Sequence, residues 1–222
     1  MLFKDRTAAG QFLGSALSAY ANNPDVLVLA LPRGGVPVAF EIAQMLNAPL
    51  DVFMVRKLGV PGQKELAMGA IASGDTQVLN EDIVRDFSLS QVVINQVAAK
   101  EKQELERRER LYRGNRPFPT LNKRTVILVD DGLATGATMQ AAILSLQKHQ
   151  PAKIVVAVPV AAPQTCEELK AKVDEIICAK TPSPFYSVGL WYNKFPQTTD
   201  EEVCHLLKIA ANRYPQSAVI PS

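Results

Sequence analysis

The chain of 222 residues is 47% hydrophobic and 21% charged with a net charge of +2, the composition of a globular protein long enough for one α/β domain with a substantial core. So small a charge supplies no global field for nucleic acid or a membrane surface, and no apolar run approaches the ~18 residues needed to span a bilayer. Cys166, Cys178 and Cys204 are odd in number and lack CxxC or Cys/His spacing, so the sequence predicts three reduced thiols, no zinc and a cytoplasmic location.

The N-terminal MLFKDRTAAGQF carries charges too early for a signal peptide. Phe12, Leu13, Ala16, Leu17 and Tyr20 recur at helical spacing, so residues 3–20 are predicted to form an amphipathic helix ended by Asn22-Asn23-Pro24. It is a candidate part of a lid. Asp25 to Ala30 (DVLVLA) is the first buried strand. The turn Leu31-Pro32-Arg33-Gly34-Gly35 then leads into a helical pattern from Val36 to Leu46. A strand, a Gly-rich turn and a helix make a phosphate cradle, and the forked guanidinium of Arg33 suits a diphosphate. The competing reading is a plain βα turn with a surface Arg; a dinucleotide fingerprint fails because GxGxxG is absent, as is a Walker A loop.

Leu50 to Val55 is the next predicted strand, followed by Arg56-Lys57 and a segment, Leu58 to Glu65, whose Gly59, Pro61 and Gly62 predict a mobile loop, the competing reading being a solvated hairpin tip with incidental charge. Short strands at Glu65–Ser73 and Thr76–Leu79 suggest a hairpin around Ser73-Gly74-Asp75, and Asn80 or Asp82 can start a short helix. Ser90 reads as the N-cap of a long helix to Tyr112, with Glu104/Arg108 and Glu106/Arg110 at i,i+4. Interleaved acids make its basic end a solvated face rather than an RNA-binding patch.

Thr125 to Met139, TVILVDDGLATGATM, organises the rest. The run Thr125–Val129 lacks polar alternation, as expected of a parallel strand covered on both faces. Asp130 and Asp131 end it, where open α/β sheets place ligands, and Gly132 to Thr138 lead into a helix whose free N–H groups suit a phosphate. An acidic pair beside a phosphate cradle is explained by a ligand with both phosphate and sugar hydroxyls. Lys153–Val158, Pro163–Lys172 and Glu175–Cys178 continue as strand, helix and strand. The tail from Ala179 to Gln197 gathers Phe185, Tyr186, Trp191, Tyr192 and Phe195, and Thr199, with Glu202 three residues on, caps a last helix over Val203–Ala211.

The strand, acidic pair and Thr/Gly turn of Val126–Thr138, with Arg33–Gly35 and Arg56–Lys57, resemble the motifs of the type I phosphoribosyltransferases. Two departures are Gly132, where the family has an aliphatic residue or Ser, and Ala134, where hypoxanthine-guanine enzymes carry a catalytic Asp. The loop is therefore more similar to the adenine and orotate branches and supplies no obvious general base. The resemblance implies an α/β fold with a mostly parallel sheet flanked by helices. It implies one domain over 1–222, with a core at about 26–178 and a hood drawn from 1–24, 65–116 and 179–222.

It also implies transfer of the 5-phosphoribosyl group of phosphoribosyl pyrophosphate (PRPP) to a nucleobase-like or amine acceptor. Asp130 and Asp131 would hold the ribose hydroxyls and, directly or through water, Mg²⁺. Ala134, Thr135, Gly136, Ala137 and Thr138 would hold the 5′-phosphate, and Arg33, Gly34, Gly35, Arg56 and Lys57 the pyrophosphate. Arg33, Lys57, Asp130 and Asp131 would be catalytic; Tyr186, Trp191 and Tyr192 would meet the acceptor, the competing reading being that Trp191 and Tyr192 anchor the last helix. A homodimer is compatible with this reading, and neither membrane nor nucleic acid is an expected partner. A PRPP-sensing regulator that transfers nothing is the alternative, and a hydrolase using the acidic pair is a weaker third.

Overall fold

A computed structural model describes residues 2–214; the part of the expected hood at 215–222, and residue 1, lie outside them. Helix α1 (Arg6–Ala16) precedes β1 (Val26–Ala30), α2 (Gly35–Leu46) and β2 (Leu50–Val52). An antiparallel excursion follows, of β3 (Val55–Val60), β4 (Gln63–Ala72), β5 (Thr76–Leu79), α3 (Glu81–Asp86) and the long α4 (Gln91–Arg113). The chain then returns through β6 (Thr125–Val129), α5 (Ala137–Lys148), β7 (Lys153–Val160), α6 (Pro163–Lys170), β8 (Glu175–Lys180) and α7 (Asp200–Arg213).

The main sheet runs β2-β1-β6-β7-β8 with every neighbouring pair parallel. Alternate residues of its buried strands feed two cores: Val26, Val28, Ile127 and Val129 face α1, α2 and α7, while Leu27, Leu29, Val126 and Leu128 face α5 and α6. This double coverage is why the strands read as unbroken apolar runs. The predicted N-caps also form, with Ser90 accepting from the Val93 amide and Thr199 from the Glu202 amide.

Two expectations are corrected in the excursion. The strand expected over Leu50–Val55 stops at Val52 and the chain switches sheets at Val55. The expected open loop Leu58–Glu65 is instead the end of a β3–β4 hairpin, with Val60 paired to Gln63. Its Gly and Pro residues signal turn chemistry rather than looseness: Pro61-Gly62 makes the reversal, Gly62 at φ +83, and the pairing register shifts on both sides of Gly59, as at a bulge.

The basic end of α4 is likewise not a purely solvated face. Tyr112 and Arg113 are buried. Arg113 donates from Nε to both oxygens of Asp51 at 3.1 and 3.2 Å, from Nη1 to Glu109 at 3.0 Å and from Nη2 to the Val52 carbonyl at 2.7 Å. Those contacts satisfy a charge that would otherwise be costly to bury, and they fasten α4 to the end of β2. The outward pairs Glu104–Arg108 and Glu106–Arg110 form as predicted, at 2.7 and 3.7 Å.

The three-thiol reading is also overturned: Cys166 of α6 and Cys178 of β8 are disulfide-bonded, leaving Cys204 free. The crossover packs α6 back on β8 and brings two cysteines 12 positions apart to a Cα separation of 6.7 Å, a proximity that their spacing does not announce. The cytoplasmic expectation loses the support it took from three thiols. Closing so short a loop stabilises by about 3 kcal/mol, so reduction with dithiothreitol is expected to lower the melting temperature by about 6–12 °C for a chain of this size. Calorimetry of the oxidised and reduced protein checks this; equal melting temperatures would show the bond to be energetically idle. Among the described residues no helix is long and apolar enough to cross a membrane.

Candidate active site

In a parallel sheet of this order, the strand connections from β1 and β6 diverge to opposite faces, opening a crevice at the carboxyl ends of these two neighbours. The Arg33-Gly34-Gly35 turn leaves β1 at that point and Asp130-Asp131 leaves β6. The two segments touch. A Cβ on Gly34 would lie 2.0 Å from Oδ2 of Asp131, and one on Gly35 would lie 2.7 Å from the Val129 carbonyl oxygen and 3.0 Å from the Asp130 Cα. The glycines are therefore there because the turn is packed directly against the acidic pair. The Pro32–Arg33 peptide bond is cis.

Burial, and then the neighbouring Asp131 charge, push the Asp130 carboxyl well above the usual carboxylate range, although it accepts the Asp131 amide at 2.8 Å. Burial pushes Asp131 up as well, and Arg6 acts against it. Arg6 is 9% exposed and donates to Asp131 Oδ2 from Nε at 2.8 Å, with Nη2 2.7 Å from the same oxygen. Sequence reasoning missed this residue. A signal existed, since Arg6 falls seven positions before Leu13 on the stripe α1 buries with Ala9, Gly10 and Gly14.

The loop after the pair is pinned from behind. Leu133 exchanges main-chain hydrogen bonds with Val160 and Ala162 at 2.9 Å each, and the Thr165 hydroxyl donates to the Ala134 carbonyl at 2.6 Å. Gly136 caps α5 at φ +68, and a Cβ there would lie 2.6 Å from the Thr165 methyl, so conformation and space both require glycine. Ala134, Thr135, Ala137 and Thr138 are exposed, and the first-turn amides of α5 have no partners within the helix. Gly132 also has a packing reason: a Cβ would lie 2.5 Å from a Val188 methyl.

A cavity of about 390 Å³ adjoins Asp131, with Arg6, Arg33, Gly34 and Asp131 on one side and Phe195 to Thr198 on the other. Arg33 lies 3.7 Å from Asp200, which also accepts the Tyr112 hydroxyl at 2.5 Å. Arg56 and Lys57 are successive residues of β3 and so point to opposite faces. Arg56 donates to Glu101 of α4 at 2.5 and 2.8 Å, Lys57 is exposed, and neither lines this cavity. A larger cavity, about 560 Å³, lies between α4 and the β4–β5 hairpin and includes none of the predicted site residues.

The tail does not present its rings as expected. Tyr192 is buried, packs between Phe3 at 5.9 Å and Phe195 at 4.8 Å, and donates its hydroxyl to the Asp131 main-chain carbonyl at 2.6 Å. Its ring is enclosed and its hydroxyl is engaged, so it offers no exposed face for stacking. Trp191 is half-buried, and Tyr186 is 78% exposed. Neither lines the cavity beside Asp131.

The arrangement can hold a diol at the carboxylates and anions at the two turns. For Mg²⁺, the described residues contain no group of three or more His, Cys, Asp or Glu that could cage an ion. One or two carboxylates with the remaining positions filled by water and ligand phosphates is an ordinary Mg²⁺ arrangement, and Asp130 and Asp131 fit that kind.

Residues 6–190 match the family model described as phosphoribosyl transferase domain. A Mycobacterium tuberculosis protein named "Putative phosphoribosyl transferase" is 44% identical over 219 residues, covering 99% of this chain and 49% of that one, so the chain spans about half the length of that relative. The crystal structure of a Thermus thermophilus protein matches at TM-score 0.84 with 42% identity, covering 93% of this chain and 98% of that one. A structure from Aquifex aeolicus, at TM-score 0.51 and 15% identity over 83% of this chain and 78% of that one, shares the fold.

Proposed function

The chain belongs to the phosphoribosyl transferase family, and on that footing we propose that it binds PRPP and transfers the 5-phosphoribosyl group to a nucleobase-like or amine acceptor, releasing pyrophosphate. The observation that carries the proposal is the packing of the Arg33–Gly35 turn against Asp130-Asp131 across the β1/β6 crevice. It brings an anion-binding turn and a diol-binding pair within one ligand's reach.

In this reading Asp130 and Asp131 accept hydrogen bonds from the ribose hydroxyls, Ala134 to Thr138 receive the 5′-phosphate at the start of α5, and Arg33, Gly34 and Gly35 receive the pyrophosphate. Arg56 and Lys57 point to opposite faces of β3, so for both to join them the start of β3 must rearrange as the hairpin closes, with Arg56 leaving Glu101. The acceptor's lone pair attacks C1 as the bond from C1 to the pyrophosphate oxygen breaks, with inversion. The chain's contribution is positional and electrostatic. Mg²⁺, held by one or both carboxylates, would offset phosphate charge. The domain is one unit with its core at about 26–178, and its hood is drawn from 1–24, 65–116 and 179–222. A cytoplasmic homodimer acting in nucleotide metabolism accords with this reading.

The test is calorimetry with PRPP in the presence and absence of Mg²⁺. Mg²⁺-dependent binding is expected, and no binding to folded protein would overturn the proposal. One feature favours the PRPP-binding regulator as a second reading: β3 and β4 pair from Val55↔Ala72 to Leu58↔Gly69, so Arg56 and Lys57 lie in a paired stretch, and Arg56 is held at 2.5 Å by Glu101. A screen of nucleobases and amines for pyrophosphate release separates the two, since a regulator binds PRPP and releases nothing.

A further inference from the structure

Helix α1 buries Ala9, Gly10, Leu13 and Gly14, and on the same face it buries Arg6. A guanidinium placed there is costly unless its donors are met. All three of its nitrogens are engaged. Nε donates to Asp131 Oδ2 at 2.8 Å, Nη2 lies 2.7 Å from that oxygen, and Nη1 donates to the Pro196 carbonyl at 2.7 Å. The guanidinium carbon also sits 3.8 Å over the centre of the Phe195 ring.

Phe195 stacks on Tyr192, whose hydroxyl donates to the main-chain carbonyl of Asp131. The contacts therefore close a ring, from Asp131 through Arg6, Phe195 and Tyr192 back to Asp131. The ring encloses one oxygen of the Asp131 carboxylate between Arg6 and Gly34. It also joins the carboxyl end of β6 to the Phe195–Thr198 wall of the cavity.

We propose that Arg6 is a positioning residue that fixes Asp131 Oδ2 so that Oδ1 meets the donor's ribose, and that fixes the Phe195–Thr198 wall at the same time. Both sides of the cavity are thereby set by one guanidinium. Lysine cannot replace it, because an ammonium lacks the planar fork that reaches a carboxylate and a carbonyl while lying on a ring. The inference rests on the donor-binding reading above and extends it to how the two sides communicate.

The test uses Arg6→Lys and Arg6→Gln in the full chain, with PRPP and Mg²⁺ as the probe and with folding confirmed by calorimetry. Charge-assisted contacts of this kind each correspond to about tenfold or more in binding. PRPP affinity is expected to fall about tenfold in Arg6→Lys and about a hundredfold in Arg6→Gln. Methylguanidinium should restore part of the loss in Arg6→Ala; should that variant not fold, Arg6→Lys carries the test.

A second readout is the emission of Trp191, the only tryptophan in the sequence, which lies in the segment leading to this wall. PRPP should change it in the wild type and leave it unchanged in Arg6→Gln at saturation. Variants that bind PRPP like the wild type and keep the emission change, even at a lower melting temperature, would reduce Arg6 to a structural staple. Absence of PRPP binding in the wild type would instead remove the donor reading itself.

Discussion

Asp130→Asn and Asp131→Asn are expected to weaken PRPP binding together by a hundredfold or more and to move the stability of the ligand-free protein in opposite directions. Each carboxylate that loses its charge toward a ribose hydroxyl or a Mg²⁺ gives up about 1.5–3 kcal/mol, so the double variant should lose about 3–6 kcal/mol of binding. The stability effects differ because the partners differ. Burial and the Asp131 charge raise the Asp130 carboxyl, which accepts the Asp131 amide at 2.8 Å. Removing that charge relieves an unfavourable one.

Asp131 is the counter-charge of buried Arg6, with Nη2 2.7 Å from Oδ2. Leaving Arg6 without it costs up to about 3–5 kcal/mol, reduced to the extent that Asn still accepts from Nε. Asp130→Asn should therefore raise the melting temperature at neutral pH by about 2–4 °C for each kcal/mol relieved, and Asp131→Asn should lower it.

The pH dependence gives a separate check. A carboxyl whose folded value is raised contributes stability that is fully present below its unfolded value, about 3.9, and is lost as the pH rises through the folded one. Asp130→Asn has no charge to lose. Its advantage over the wild type should be nil in acid and grow toward neutral pH. Melting curves at several pH values, without ligand, measure this. A constant difference would mean that the Asp130 charge is not what the fold resists.

The parts of this protein legible in its sequence are those where local chemistry and tertiary role coincide. Val26–Ala30 and Thr125–Val129 announce buried parallel strands because both faces are covered, and Asp130-Asp131 follow directly from the second. Gly132 to Thr138 read as the lead into a helix, and α5 begins there at Ala137. The features that elude the sequence depend on distant partners. Arg6 acquires its role from residues 125 and 190 positions away, and Cys166 meets Cys178 only through the crossover geometry. Tyr192 reads equally as a stacking ring or as an anchor, because composition cannot reveal that Phe3 packs against it from the other end of the chain. In the hairpin the failure is of another kind: Gly59, Pro61 and Gly62 are plain to read, but a bulge and a tight turn use the same residues as a loose loop.

Gly34→Ala and Gly35→Ala, adjacent and chemically identical, are expected to fail in different ways. Gly34 has φ −60 and ψ −31, values any residue adopts, so backbone conformation alone does not exclude alanine there. The obstacle is contact. At Gly34 the new methyl meets a side-chain carboxylate, with Oδ2 of Asp131 at 2.0 Å and its carbon at 2.5 Å. A carboxylate can swing aside, but only by breaking from Arg6. Gly34→Ala should therefore cost about 1–3 kcal/mol of stability and at least about tenfold in PRPP affinity through the displaced Asp131.

At Gly35 the methyl meets backbone, the Val129 carbonyl oxygen at 2.7 Å and the Asp130 Cα at 3.0 Å. The end of β6 cannot retreat without loosening its pairing with β1 and β7. Gly35→Ala should fall at or beyond the upper end of the same overpacking range, about 3 kcal/mol, a drop of about 6–12 °C in melting temperature. A double-mutant cycle separates the mechanisms. In an Asp131→Ala background most of the stability cost of Gly34→Ala should vanish, because the clashing atoms are gone, while the cost of Gly35→Ala should persist in full. If Gly35→Ala melts within a degree of the wild type, or if both costs survive the loss of the Asp131 side chain, then close packing of the turn against β6 is not what reserves these positions for glycine.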